Sequence, residues 1–367
     1  MLNILYDHQI FTMQHYGGIS RYFASIQSGL EKQPDIHFNN GVLYSKNYYI
    51  KDNTYLPSYL SKVFLKKDRS IQKWNRKYSE YLIKKDNYDV FHPTYYNPYF
   101  LKSIKKPFVI TVHDMIHELF PEMFEPGDVF VNYKRRCIEN AAHIIAISQS
   151  TKNDIIKVLG VDESRISVVH HGFRPQMSVN SDLTDTEKKQ DYLLFVGDRK
   201  GYKNFPRLAT ALTPFLKRNP EIKLICAGGG AFQSAELELF IRLGISDRAQ
   251  QISASDETLS RLYKNAMAFL FPSLYEGFGL PILEAFQNDC PIIASQTDCF
   301  KEIGEDAIQY FNPYEESSIL NTLEEVVENK QKALTLVSRG RQQLQKFPME
   351  SCIDKTLNIY RTFGQKK

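Results

Sequence analysis

Short apolar runs punctuate the chain, separated by amphipathic stretches and polar turns. The runs at 2–6, 90–92, 108–112, 142–148 and 166–170 read as buried strands, and so do those at 192–196, 223–227, 250–254, 268–271, 291–295 and 307–311. Strands covered on both faces are apolar throughout rather than alternating, which is the pattern of a parallel sheet. Helices are predicted to end near Leu30, to span 151–159 and 256–266, to open at 204–206 and at Pro281, and to fill 317–347. Residues 7–16 read as a polar loop. The tail 349–363 places Cys352, Ile353, Leu357, Ile359, Tyr360 and Phe363 at helical spacing. Residues 175–190, PQMSVNSDLTDTEKKQ, are polar and aperiodic, which suits a linker. The boundaries that follow are 1–174 and 190–348, with 349–367 as a terminal helix.

Length agrees with that division, since 367 residues exceed one ordinary core. A hydrophobic share of 43% and a charged share of 24% are those of a globular chain. No apolar run approaches the roughly 18 residues that a membrane span needs, and residues 1–6 read as a strand rather than a leader, so the expected location is cytoplasmic. Cys137, Cys226, Cys290, Cys299 and Cys352 are scattered and lack a CxxC pair, so they read as reduced and buried rather than as disulfides or zinc ligands. Charge changes the picture in one place. Residues 1–172 hold 22 Lys+Arg against 17 Asp+Glu, a surplus clustered in 62–85 around Trp74, Tyr78 and Tyr81. That segment suits an anionic membrane surface or a charged acceptor. Its plainer reading is a solvated helix face with an apolar stripe in the core. No nucleic-acid motif accompanies it.

Candidate chemistry concentrates between Phe271 and Ser295, FPSLYEGFGLPILEAFQNDCPIIAS. Pro281 marks a helix start, whose N–H groups and dipole favour an anion, so the turn before it is a phosphate seat. Glu276 and Glu284 bracket that seat and would repel a phosphate unless they face something else, for which sugar hydroxyls are suited. In YLLFVGDRKGYKN, Gly197 ends a strand and Arg199, Lys200 and Lys203 precede a helix, a spacing that suits a diphosphate. Gly17 and Gly18 open a helix after the first strand and its loop, and Gly228 to Gly230 let backbone approach a ligand or make a tight turn. His113 falls at the carboxyl end of a strand, where open α/β sheets bind ligands. The neighbours His170 and His171 point to opposite faces of a strand, which argues against a metal pair. GxGxxG is absent, so a dinucleotide enzyme is disfavoured.

The string Glu276-Gly277-Phe278-Gly279-Leu280-Pro281-Ile282-Leu283-Glu284-Ala285, followed by Pro291-Ile292-Ile293-Ala294-Ser295, resembles the signature of family 4 glycosyltransferases, EGFGLPxLEA and PVIAS. Thr111-Val112-His113-Asp114 and the Gly17-Gly18-x-x-Arg21 segment are similar to the same family's motifs. Lys203-Asn204 fits the family's G-R-x-x-x-x-K-N directly, whereas Asp198 holds the usual arginine place and Arg199 lies one residue later. The resemblance covers nearly the whole chain, most strongly 192–295. It implies an α/β fold of the GT-B kind: two Rossmann-like domains facing a central cleft, with the last helix crossing back to the first.

The implied reaction transfers a hexose, mannose or glucose or similar, from a nucleotide diphosphate sugar to an acceptor hydroxyl with retained configuration, in polysaccharide, O-antigen or glycolipid assembly. By resemblance His113, Glu276 and Lys203 are catalytic. Gly17, Gly18, Gly197, Arg199, Lys203, Phe278, Gly279, Leu280 and Glu284 bind the donor: Lys203 and Arg199 take the diphosphate, Glu284 the ribose, and Glu276 with the backbone of Phe278, Gly279 and Leu280 the sugar. No DxD-like metal motif is supported by its context, so no metal or other cofactor is expected. The partners implied are a nucleotide sugar and a saccharide or lipid-linked saccharide acceptor, with peripheral contact to an anionic membrane and no nucleic acid. Two rival readings stand beside this one, a GT-B sugar-nucleotide epimerase and a non-catalytic sugar-nucleotide-binding subunit. Intact Glu276, Glu284 and Lys203 argue against the second.

Overall fold

Burial on both faces is what turns the apolar runs into parallel strands. Strand β1 (Leu2–Tyr6) lies between β2 (Ile36–Asn40) and β3 (Val90–His92), all parallel. A parallel bridge from Phe91 to Phe108 continues this sheet into β4 (Val109–Val112), β5 (His143–Ala146) and β6 (Ile166–Val168). The computed structural model describes residues 1–50, 54, 68–125, 127–174 and 191–364. The linker reading at 175–190 and the basic residues at 62–67 therefore lie outside the described residues. The chain divides into one unit of Met1–Gly172 with Met349–Lys367 and another of Phe173–Pro348.

In the first unit the helices include α1 (Gln9–Met13), α2 (Gly18–Leu30), α3 (Asp68–Lys85), α4 (Val129–Asn140) and α5 (Gln149–Leu159). Capping follows elementary rules: Ser148 Oγ accepts the Thr151 N–H at the start of α5, and Gly160 ends it in the left-handed region. The reading of 7–16 as a loop is corrected by α1. That short helix has no side-chain cap and exists because Ile10 and Phe11 are buried and the Ile10 N–H donates to Thr94 Oγ1.

The second unit holds a six-stranded parallel sheet. Its elements run β7 (Tyr192–Val196), α6 (Phe205–Arg218), β8 (Lys223–Ala227), α7 (Ser234–Leu243), β9 (Ala249–Ile252) and α8 (Asp256–Asn265). They continue with β10 (Ala268–Phe271), α9 (Leu280–Gln287), β11 (Ile292–Ser295), α10 (Asp298–Gly304), β12 (Gln309–Phe311), α11 (Glu316–Val327) and α12 (Lys330–Leu344). Spatial order is β12-β11-β10-β7-β8-β9. The chain winds outward from β7 through β8 and β9, then returns to the other side of β7 at β10. Such a reversal leaves a crevice at the carboxyl ends of the two adjacent strands, and ligands of open α/β sheets lie there. In the first unit the same reversal falls between β1 and β3.

Helix α13 (Met349–Gly364) belongs to the first unit. Its Cys352, Ile353, Leu357 and Tyr360 share a core with Ile4, Phe23 and Ile26. The buried Tyr360 hydroxyl lies 2.9 Å from Tyr6 Oη and 2.6 Å from His92 Nδ1, so this helix supplies both packing and polar partners to β1 and β3.

Candidate active site

The reversal between β7 and β10 brings two turns together. Gly197 leaves β7 with φ +123°, the chain makes a single 3-10 turn at Gly201–Lys203, and Asn204 enters α6 at φ +56°. On the other side the turn after β10 carries Glu276 to the start of α9. Leu274 N–H donates to Tyr202 O at 2.7 Å and ties the turns to each other. Lys203 Nζ then meets Glu276 Oε1 at 2.6 Å, with side chains 16% and 15% exposed. The ammonium also lies over the rings of Tyr202 and Phe271, at 5.1 and 5.7 Å. A half-desolvated cation held by aromatic faces and one carboxylate can take an anionic ligand oxygen while the carboxylate turns to a hydroxyl.

Gly279 caps α9 at φ +102°, a backbone that a side chain would strain. Pro281 has no N–H, and Ile282 N–H donates back to Gly279 O. Among the described residues the N–H groups of Gly279 and Leu280 have no acceptor. Phe278 is buried with its ring edge-on to Phe347, so its backbone alone could meet a ligand. Glu284 sits one turn inside α9, where the buried Tyr263 hydroxyl donates to its Oε2 at 3.3 Å. Burial, with the Glu284 charge second, pushes the Tyr263 phenol well above its ordinary range, so it stays a donor.

Arg199 requires a correction. Rather than being free to grip a diphosphate, it is 4% exposed, with Nε 2.6 Å from Glu236 Oε1. Its remaining donors reach the carbonyls of Gly228, Gly230 and Ala231 at 2.9, 2.9 and 3.2 Å. Gly228, Gly229 and Gly230 all have positive φ, which turns these carbonyls inward, and a Cβ on Gly229 would stand 2.6 Å from the guanidinium. Arg199 therefore holds the glycine turn after β8 in shape. Ser273, two residues past β10, was not singled out by sequence, and Ser295, the last residue of β11, was seen only as part of a motif; the buried hydroxyls of both have no partner among the described residues. A serine at or just beyond the carboxyl end of an apolar strand was the available signal.

In the first unit Gly17 caps α2 and Gly18 begins it. One turn on, the Tyr22 ring stands edge-on to His113 at 5.4 Å and to His171 at 4.8 Å, and the two imidazoles lie parallel at 6.0 Å. His113 N–H donates to Tyr96 Oη at 2.9 Å, while its buried Nε2 has no partner among the described residues. Burial above all, then His92 and Lys134, lowers the His113 pKa to about 3. A neutral imidazole with one unsatisfied nitrogen can exchange a hydrogen bond with a hydroxyl but brings no charge. The adjoining loop is pinned by side-chain bonds: Asp114 Oδ1 accepts the Ile116 N–H, and buried Lys134 reaches Asp114 O and Glu118 Oε2 at 2.9 and 2.8 Å. All five cysteines are buried and unpaired. Among the described residues no three His, Cys, Asp or Glu side chains are placed to share a metal ion, and no helix is long and apolar enough to cross a membrane.

Residues 180–343 match the family described as glycosyl transferases group 1, and residues 16–176 match glycosyltransferase family 4. The chain is 29% identical over 216 residues to the O-antigen chain mannosyltransferase RfbU of Salmonella typhimurium, a match over 57% of this chain and 58% of that protein. It is 26% identical over 294 residues to O-antigen chain mannosyltransferase B of Escherichia coli, covering 74% of each. The chain thus spans under two thirds of the first relative and about three quarters of the second. Among solved structures, it superposes on Anabaena HepE in complex with UDP and glucose with a TM-score of 0.71 at 17% identity, over 99% of this chain and 100% of that one. Sucrose-phosphate synthase from Thermosynechococcus elongatus gives 0.71 at 18% identity over 99% of both chains. These two likenesses are of fold, which is GT-B.

Proposed function

The chain belongs to the glycosyl transferases of group 1, and from that premise we propose that it moves a hexose from a nucleotide diphosphate sugar to an acceptor hydroxyl, with retained configuration and no bound metal ion. The observation that carries the proposal is the Lys203–Glu276 pair at the reversal of the second sheet, beside the open N–H groups of α9. In the transition state the bond from the anomeric carbon to the diphosphate oxygen lengthens, positive charge spreads over the sugar ring, and negative charge grows on the phosphate. Stabilisation aimed at that growing charge is the largest contribution such a site can make.

Lys203 and the Gly279 and Leu280 N–H groups are suited to that charge, Glu276 to the sugar hydroxyls, and Glu284 to the ribose. His113, neutral and with Nε2 unsatisfied, is suited to a sugar hydroxyl. By resemblance, Gly197 is suited to a backbone contact with the donor in the second unit, and Gly17 and Gly18 to one in the first. Arg199 is withdrawn from this set, because its donors are spent on Glu236 and the glycine turn. The acceptor oxygen attacks from the face that the diphosphate leaves, and its proton passes to the departing phosphate oxygen, so no separate base is required.

The two mannosyltransferase relatives put a mannosyl donor first among those to try. Incubating the protein with nucleotide diphosphate hexoses, with and without a chelator, and reading the products by mass spectrometry tests this directly. The expected result is slow release of free hexose and nucleoside diphosphate from one donor, unchanged by the chelator. Turnover of none, or conversion into an epimeric sugar, would contradict the reading.

A further inference from the structure

A cavity of ≈ 590 Å³ opens in the first unit, lined by residues of α1, of α3 and of the segment after β3. His8 and Gln9 follow β1 and Asn97 and Tyr99 follow β3, so the cavity sits at the carboxyl ends of the two strands between which strand order reverses. Its volume is that of a small-molecule site.

The α3 wall is basic. Arg69, Lys73, Arg76 and Lys77 all line the cavity, at spacings that place them on one face of the helix. The rotation of α3 is set by its buried polar stripe: Asn75 Oδ1 accepts the N–H groups of Leu43 and Tyr44, and Ser79 Oγ donates to Gly41 O at 2.7 Å. Turning this stripe inward leaves the basic side chains exposed along the rim of the cavity. One lining carboxylate, Glu80, opposes it, and Glu80 Oε1 already accepts from Arg76 Nε at 2.9 Å. Among the described residues Arg69 and Lys73 have no carboxylate within ion-pair distance. Arg76 is further held by its guanidinium lying 5.4 Å over the Tyr99 ring. His8 bonds Ser79 Oγ through Nδ1 at 2.9 Å, and burial lowers its pKa, so the floor offers neutral polar groups beneath a cationic wall.

We propose that this cavity binds the phosphate-bearing part of the acceptor, a diphosphate or phosphoester group carried next to the acceptor sugar. The assignment rests on the transferase reading above, which supplies the acceptor, and it adds that the acceptor is anionic. A concave, half-open cavity at a strand reversal fits a discrete group; a planar membrane surface would be met by a convex basic face.

Trp74, the one tryptophan in the chain, lies on α3 with Lys77 Nζ 4.9 Å from its ring and reports on this wall locally. Wild-type protein titrated with inorganic pyrophosphate should show a saturable change in Trp74 emission. Lys73→Gln combined with Arg76→Gln should weaken it by about tenfold or more, the scale of losing charge-assisted hydrogen bonds. Lys203→Ala, which lies in the other unit, should leave it unchanged. Both substituted residues of α3 are exposed, and an unaltered circular dichroism spectrum confirms their fold. No saturable response, or an equal one in the double variant, would overturn the assignment. A response to vesicles of phosphatidylglycerol and phosphatidylcholine without one to pyrophosphate would overturn it in favour of a membrane surface. Donor hydrolysis by the wild type is measured apart, so failure of the transferase reading is distinguishable from failure of this one.

Discussion

Arg199 and Lys203 stand four positions apart, and the structure gives them opposite tasks. Lys203 is held by one carboxylate and two aromatic faces beside an open helix start. Arg199 is enclosed by Glu236 and the carbonyls after β8. Arg199→Met should therefore cost stability, about 3–5 kcal/mol for removing one partner of a buried ion pair. A thermal melt checks this; a diphosphate ligand would instead lose donor affinity with its melting temperature kept. Gly229→Ala should cost roughly 1–3 kcal/mol in the same assay, because φ is +66° and the new Cβ would meet the guanidinium. Sequence reading placed Lys203, Glu276 and Glu284 in one region from their spacing around Pro281 and Gly197. It misjudged Arg199 because a basic residue in a turn shows its charge but not its burial, which three consecutive positive-φ glycines create from the end of the neighbouring strand β8.

At the scale of elements, the apolar runs that became β7, β8 and β10 were legible to the residue, since each is bounded by a polar or glycine break and buried along almost its whole length. Elements made by tertiary context were not. β2 alternates with only Ile36 fully buried, α1 is held from outside by Thr94, and α7 follows a glycine run that reads as turn. The helix periodicity of the tail was legible, and the polar task of Tyr360 was not, because its partners Tyr6 and His92 are hundreds of residues away. Tyr360→Phe should leave both buried groups without that partner and destabilise the first unit by about 1–3 kcal/mol, read from chemical denaturation.

For the whole molecule, each unit repeats one device: a parallel sheet whose order reverses, with the proposed ligand contacts at the reversal. That repetition was legible as two series of apolar runs, while the partition of roles between the units came from motif resemblance and not from pattern. Acid should act on the first unit. Burial lowers His92 and His113 to about 3, below the roughly 6.5 of an unfolded histidine. Their contribution to stability is thus fully present above about pH 6.5 and is lost as pH falls towards 3, by up to about 1.4 kcal/mol per histidine per pH unit. Urea midpoints near neutral pH and about pH 5 should show this loss, and His113→Gln should diminish it. The central claim is tested most directly by the rate of nucleoside diphosphate release from the preferred donor in Lys203→Ala against wild type. A fall of about 10²–10³-fold is expected, with the circular dichroism spectrum of the native fold retained; a rate within about twofold of wild type would contradict the assignment of Lys203.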